Sequence, residues 1–206
     1  MHASTAPRTE SARSRRPDIV AAAVDRFGSD GYEHTKWATI AEDVGLGETA
    51  LYHYFESKAH CLLTIMRTEL ADSLERFERV TRLEADPTAA LRKSIMSAYE
   101  GGPRDALQRR ILQNHVDLLG APRPWEKEEQ ERQRSRALVR EIEDAWTDLI
   151  RRGMRSGAFA DRDPQMSARM VLALVVGVWR WYRPGGPHTL DEIGVITSDA
   201  VLRVVQ

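Results

Sequence analysis

The residues best equipped for chemistry lie between Thr35 and Lys58, in the run TKWATIAEDVGLGETALYHYFESK. Hydroxyls, four carboxylates, one imidazole and two lysine ammonium groups are set in and around two short helical patterns on either side of Gly45. Two helices that cross at a near-right angle need a turn of about 3–4 residues, often with glycine, because the chain there takes a positive φ. Ala41 is small where the helices would touch, and Ile40, Val44, Leu46 and Leu51 fall on the face they would share. Tyr54 and Phe55 close the lower side. The spacing predicts a helix-turn-helix; any glycine-broken helix pair is the plainer alternative.

Other candidates give no catalytic constellation. His60 and Cys61 are neighbours in sequence, so on a helix they point about 100° apart, and Cys61 reads as a small core residue. Gly45-x-Gly47 lacks the third glycine of a dinucleotide loop, since Ala50 stands there. The six histidines are scattered, with no HExxH pair. The run EKEEQE at 126–131 is a charged helix face, and its apolar repeat does not persist as in a coiled coil. One cysteine excludes an internal disulfide and a cysteine-cluster metal site. No enzyme, cofactor or metal site is expected.

The elements that must position these residues are helical. Strand alternation is nearly absent, and 3–4 spacing recurs along the chain, giving an all-α fold of about nine helices. Residues 1–15 read as a flexible basic arm. The first helix opens at Arg16–Pro17, with proline where a missing N–H is tolerated. The second spans about 36–43 behind Thr35 as N-cap, the third about 47–53, and the fourth starts after Ser57 and runs to about Arg82. Asp86–Pro87 opens a fifth, broken by Gly101–Gly102–Pro103. A sixth covers about 104–119, and a long polar seventh covers 123–153. Asp163–Pro164 opens an eighth, ended by Arg183-Pro184-Gly185-Gly186-Pro187. Thr189 with Glu192 forms a capping box for the ninth, about 190–204. The units expected are the arm (1–15), a helix-turn-helix domain (16–60) and a larger helical domain (61–206).

The chain has 206 residues, of which 42% are apolar and 30% charged, enough for one domain or two closely packed ones. The longest apolar run, Met170 to Trp179, falls short of the ~20 residues of a membrane span. The first sixteen residues carry no apolar stretch behind their charges, so no signal peptide is expected, and a cytoplasmic protein without membrane contact follows. Net charge is −1, and residues 1–60 hold seven Lys/Arg against nine Asp/Glu. Any binding of nucleic acid must therefore come from placed residues, not from a broad positive field.

The run Ala41…Gly45-Leu46…Leu51-Tyr52-His53-Tyr54-Phe55…Ser57-Lys58 resembles the DNA-binding domain of the tetracycline-repressor (TetR) family. Phe27, Gly31, Tyr32 and Thr35 agree with the family's ending of the first helix, so the resemblance covers about residues 16–65. It implies a ligand-responsive regulator, most simply a repressor, that binds a palindromic double-stranded operator as a homodimer with its third helices in successive major grooves. Gly47, Glu48, Thr49 and His53 are then the base-facing candidates, and Tyr52 a phosphate or thymine-methyl contact. Lys58, Thr35 and Lys36 would meet phosphates near helix N-termini. Arg13, Arg15 and Arg16 would enter a minor groove, or form a solvated tail. Tyr54 reads as packing. Gly47 departs from the family's usual serine and removes a side-chain cap. Glu48 stands where lysine is common; it would accept from a cytosine amino group or simply complement the helix dipole.

The resemblance further implies a small-molecule effector in the C-terminal domain and a dimer made by the last two helices. Those helices are apolar over broad faces, which calls for a partner surface or closes the monomer core. Tyr99, Asn114, His115, Trp146, Trp179 and Arg180 interrupt apolar helices as pocket residues would, although His115 equally suits a core histidine. The run Trp179-Arg180-Trp181-Tyr182-Arg183-Pro184-Gly185-Gly186 resembles the helix ending of TetR-type regulators that answer to acyl-CoA thioesters; Arg183 joins the ligand candidates on that ground. Its alternative is a helix end packed at the dimer interface. Competing functions are a helical enzyme or carrier with an unused helix-turn-helix, a protein-binding module, or an activator.

Overall fold

The computed structural model describes the backbone of residues 8–206 and the side chains of residues 15–206. The helices are α1 (Arg8–Ser29), α2 (Trp37–Asp43), α3 (Glu48–Leu51), α4 (Lys58–Leu83), α5 (Pro87–Ser97), α6 (Pro103–Asn114), α7 (Glu126–Arg155), α8 (Pro164–Trp181) and α9 (Leu190–Val205), with no strand among the described residues. None of these helices is long and apolar enough to cross a membrane.

The expected caps set most boundaries. Ser57 accepts from the His60 N–H and starts α4, while Asp86 and Asp163 cap α5 and α8, each followed by proline in the first turn. Thr189 and Glu192 close a reciprocal capping box on α9. Each satisfies amides that a helix start leaves without an internal partner.

The largest departures from the sequence reading are at two helix boundaries. The first helix starts at Arg8, so residues 8–15 are helical instead of an irregular arm, and Pro17 lies inside α1. A proline removes one i→i−4 bond, and local preference alone would start the helix there. Tertiary contacts hold the preceding turn: Arg15 Nη1 donates to the Val44 carbonyl at 3.0 Å, and the Arg16 guanidinium lies 4.6 Å from the Phe55 ring centre. Residues 1–7 and the Arg13 side chain lie outside the described residues.

The sixth helix also stops early, at Asn114, and a 3-10 turn spans Val116–Leu119. His115 Nδ1 lies 2.8 Å from the Ile111 carbonyl, which can only accept, so this nitrogen carries the proton. The ring competes with backbone amides for the helix's last carbonyls, and the backbone tightens to an i→i+3 pattern.

Two apolar cores run side by side. One joins Ile19, Val24 and Phe27 of α1, Ile40 of α2, Leu51 of α3, Phe55 and the first half of α4, and it also takes in Ile111 and Leu119. The other joins Phe77, Leu91, Ile95, Trp146 and Ile150 with the inner faces of α8 and α9. Helix α4 therefore threads both cores, and the packing does not break at residue 60. Helix α6 makes the second bridge: a Cβ on Gly28 of α1 would lie 2.8 Å from a Leu107 methyl of α6.

Candidate nucleic-acid interface and ligand cavity

The turn between α2 and α3 forms as its residue types require. Gly45 takes φ 66°, and a Cβ there would meet nothing within 4 Å, so backbone conformation and not space demands the glycine. The Leu46 amide donates to the Ala41 carbonyl at 2.8 Å and fixes the crossing. Leu51 and Phe55 are fully buried beneath α3, with Phe55 edge-on to Trp37 and to His60. Tyr54 packs against the same core, as read from the sequence. With the apolar side anchored, the opposite side is open: Lys36, Gly47, Glu48, Thr49, Tyr52 and His53 are all exposed, Tyr52 by 50%. Gly47 is the N-cap of α3 and makes no side-chain cap bond.

Several expected contacts turn inward instead. The sequence places Thr35 as N-cap of α2 and at a phosphate; Lys36 holds the N-cap position, and Thr35 is only 4% exposed. Its hydroxyl donates to the Gly31 carbonyl at 2.8 Å, completing the turn after α1. Lys58 is likewise taken up by the fold. Its ammonium donates to the carbonyls of Tyr32 (2.8 Å) and Thr35 (3.0 Å) and lies 4.3 Å from the Tyr32 ring centre. These carbonyls stand between α1 and α2 without helical donors, and a flexible cation satisfies both. Arg15 and Arg16 sit on α1 against the domain, not on an arm.

The start of α4 links this domain to α7. Ser57 Oγ, besides capping α4, donates to Glu128 Oε1 at 2.5 Å, and Arg123 Nε donates to Glu128 Oε2 at 3.0 Å. The Glu128 amide donates to Glu56 Oε1 at 3.0 Å. His60 lies beneath, with its Nδ1 accepting from the Glu56 amide at 3.2 Å, which requires neutral imidazole protonated on Nε2. Burial, then the positive charge of Arg16, holds the His60 pKa below its ordinary 6.5, against the opposing pull of Glu56 and Glu131. The unfolded chain therefore takes up this proton first, so its contribution to stability is intact above pH 6.5 and is lost as the pH falls through the lower folded value. Wild-type melting temperature should drop below pH 6.5 more steeply than that of His60→Gln, measured by circular dichroism; parallel curves would remove His60 as the cause.

A cavity of about 220 Å³ opens between α4, α6, α7 and α8. Of the seven ligand candidates, Trp146 and Trp179 line it. Tyr99 lies behind Trp179, its hydroxyl donating to the Val175 carbonyl at 2.9 Å, as a satisfied core residue. Asn114 and His115 border a separate depression beside the end of α1. Arg180 and Arg183 are exposed, and Arg183 bonds backbone carbonyls of its own turn. The aromatic–arginine run is thus divided by helical phase, with Trp179 inward and Arg180 and Trp181 outward. Asn114 and Arg180 lie on other faces of α6 and α8, and His115 and Arg183 lie beyond the ends of those helices, so none of the four lines the cavity.

The cavity's polar groups were not among the sequence candidates. Glu69 Oε1 accepts from Arg76 Nη2 at 2.7 Å and from Arg109 Nε at 3.2 Å, and the Arg109 guanidinium carbon lies 5.3 Å from the Trp179 ring centre. Burial pushes the Glu69 carboxyl up while both guanidiniums pull it down, and burial likewise lowers Arg109. The available signal was a carboxylate in apolar phase on α4, at Met66-x-x-Glu69-Leu70.

A helix-turn-helix with an open recognition side, joined by two helices to a helical domain with a mostly apolar cavity, defines a ligand-regulated DNA-binding protein. Residues 19–65 match the family model for bacterial regulatory proteins of the tetR family, and residues 106–205 match the tetracyclin repressor-like C-terminal domain. The chain belongs to the TetR family of transcriptional regulators. It is 26% identical over 182 residues to the HTH-type transcriptional repressor KstR2 of Mycobacterium tuberculosis, covering 88% of each chain. The structure of that KstR2 superposes with a TM-score of 0.76 over 93% of this chain and 95% of the other, at 24% identity. The TetR family regulator PfmR from Thermus thermophilus gives 0.77 at 28% identity over 90% and 97%. AibR, solved with isovaleryl coenzyme A and operator DNA, gives 0.72 at 20% identity over 90% and 97%.

Proposed function

We propose that this regulator is a repressor that binds a palindromic operator as a homodimer and is released when an acyl group enters the cavity between α4 and α8. The observation that carries the reading is the shared wall. Glu69, Leu70 and Arg76 of α4 and Arg109 and Leu112 of α6 line the cavity, and these same two helices pack on α1. A ligand that favours a different placement of α4 and α6 changes the separation of two recognition helices, by no more than its differential affinity for the two arrangements. Glu48, Thr49, Tyr52 and His53 supply the base and phosphate contacts, with Lys36 flanking them. An acyl thioester as effector has support from AibR and its bound isovaleryl coenzyme A.

The dimer surface is the outer side of α8 and α9. Met166, Met170 and Leu174 project one helical turn apart from α8 and are 52%, 55% and 41% exposed, beside exposed Val195 and Ile196 of α9. A contiguous apolar face of this kind marks an interface.

The test selects DNA bound from a random pool by the purified protein at low and moderate salt. A salt-sensitive palindrome is expected, because phosphate contacts release counterions. On that sequence Tyr52→Ala should lose about tenfold in affinity while remaining dimeric, and Leu174→Glu should sediment as a monomer with weaker binding still. Failure to enrich a palindrome, with or without acyl-CoA, would overturn the repressor; unchanged affinity in Tyr52→Ala would overturn the contact surface.

A further inference from the structure

The cavity is mostly apolar, but its charged end is unevenly matched. Two guanidiniums, Arg76 and Arg109, meet one carboxylate, Glu69, through its Oε1 alone. The Glu69 and Arg109 side chains are 5% and 6% exposed, and Arg76 is 18%. Arg109 Nη1 and Arg76 Nε are buried donors without a partner among the described residues. A buried donor left unsatisfied costs about 1–3 kcal/mol, and more on a charged group, so two at one site call for an acceptor. Trp179 covers one side of Arg109, and the other polar cavity residues are Ser73, Gln113 and Glu143. Glu143, in α7 one turn before Trp146, is only half-buried and pairs with neither guanidinium, so solvent carries much of its charge.

We propose that the effector presents a carboxylate to Arg109 and Arg76, carried on a compact apolar body that fills the rest of the cavity. This rests on the cavity being the effector site, and it favours a free carboxylic acid over a thioester, whose acyl end carries no charge. A carboxylate supplies the one negative charge that Glu69 leaves unmatched, on two acceptor oxygens, and charge-assisted bonds to guanidinium are the stronger kind. A neutral amide or alcohol offers one acceptor and leaves the second guanidinium charge uncompensated. The volume sets the body: a cavity of about 150 Å³ holds benzene, so about 220 Å³ accepts roughly nine non-hydrogen atoms. That admits a medium-chain acid or a single substituted ring, and it excludes a fused four-ring body without expansion of the cavity.

The experiment measures binding of octanoate, octanamide, octanol and octylamine to the full-length protein by calorimetry, with melting temperature as a second readout. Octanoate should bind about tenfold more tightly than octanamide, the difference between a charge-assisted and a neutral hydrogen bond, and octylamine should be weakest. Arg109→Met alone leaves Glu69 buried with less compensation and is at risk of misfolding. The triple variant Glu69→Met/Arg76→Met/Arg109→Met replaces the charged cluster with apolar groups of similar length, which cores often tolerate. In that variant octanamide and octanol should still bind, and the preference for octanoate should vanish. Binding of the neutral compounds with no preference for octanoate overturns the carboxylate and leaves the cavity as effector site. Equal preference for octanoate in the triple variant overturns the role of the two arginines. If none of the four binds, the effector-site reading falls and the carboxylate falls with it.

Discussion

Phe55→Ala should unfold the helix-turn-helix and abolish operator binding. Phe55 is fully buried where four elements meet, edge-on to Trp37 and His60 at centroid distances of 6.3 and 5.3 Å and beneath the Arg16 guanidinium. Truncating a buried phenylalanine costs about 3–5 kcal/mol, from lost transfer energy and from the cavity left behind. That is a large share of the roughly 5–15 kcal/mol that holds a typical domain together. The neighbours cannot collapse far, because α3 is only Glu48–Leu51 and is already fixed by Leu51 below and Gly45 before it. Phe55→Leu keeps most of the volume and should cost less than half as much. Urea denaturation followed by tryptophan fluorescence reads this directly, since Trp37 is a contact. A midpoint for Phe55→Ala within error of wild type would show that this core does not hold the domain.

The second large effect is expected at Gly153, near the end of α7. A glycine-to-alanine change inside a helix ordinarily stabilises by about 1 kcal/mol. Here the sign reverses, because a Cβ on Gly153 would lie 2.0 Å from Phe159 Cδ2 and 2.2 Å from Cε2. The chain folds back at this point, with the amides of Ala158 and Phe159 both donating to the Gly153 carbonyl at 3.0 and 3.2 Å. Phe159 is buried in the C-terminal core, so it can yield only by leaving its site. We expect Gly153→Ala to cost about 3 kcal/mol, between ordinary overpacking and loss of a buried ring. The Ala160 amide donates to the Val205 carbonyl at 2.8 Å, so the displacement reaches the end of α9 and should loosen the proposed dimer. Gly153→Ala/Phe159→Ala should be less destabilised than the sum of the single variants, because removing the ring removes the clash. Additive costs in that cycle would show that the ring is not what Gly153 accommodates.

Local chemistry made much of the molecule legible in its sequence. Ser57, Asp86, Asp163 and Thr189 with Glu192 mark helix starts because each side chain bonds amides two or three residues away, a contact independent of the rest of the fold. Gly45 marks the turn because positive φ is a property of the residue itself. The apolar phase of α3 shows which residues face out, so the exposed row from Gly47 to His53 follows from the buried positions of Leu51 and Phe55.

The tertiary structure decided the partners of long or flexible polar side chains. Lys58 and Thr35 sit where a phosphate contact is plausible from spacing, and only the folded path of the chain brings the carbonyls of Tyr32, Thr35 and Gly31 within their reach. Helix α1 extends past Pro17 because Arg15 and Arg16 find the turn and Phe55, contacts 29 and 39 residues away in sequence. The cavity depends on four helices at once: Glu69 and Arg109, 40 residues apart, become an ion pair only when α4 and α6 cross. Sequence determined which faces are apolar, where helices begin and which side of the recognition helix is open, since these are set within a few residues. Which charges are buried together, and which donors remain without a partner, depends on long-range packing and could be settled only in three dimensions.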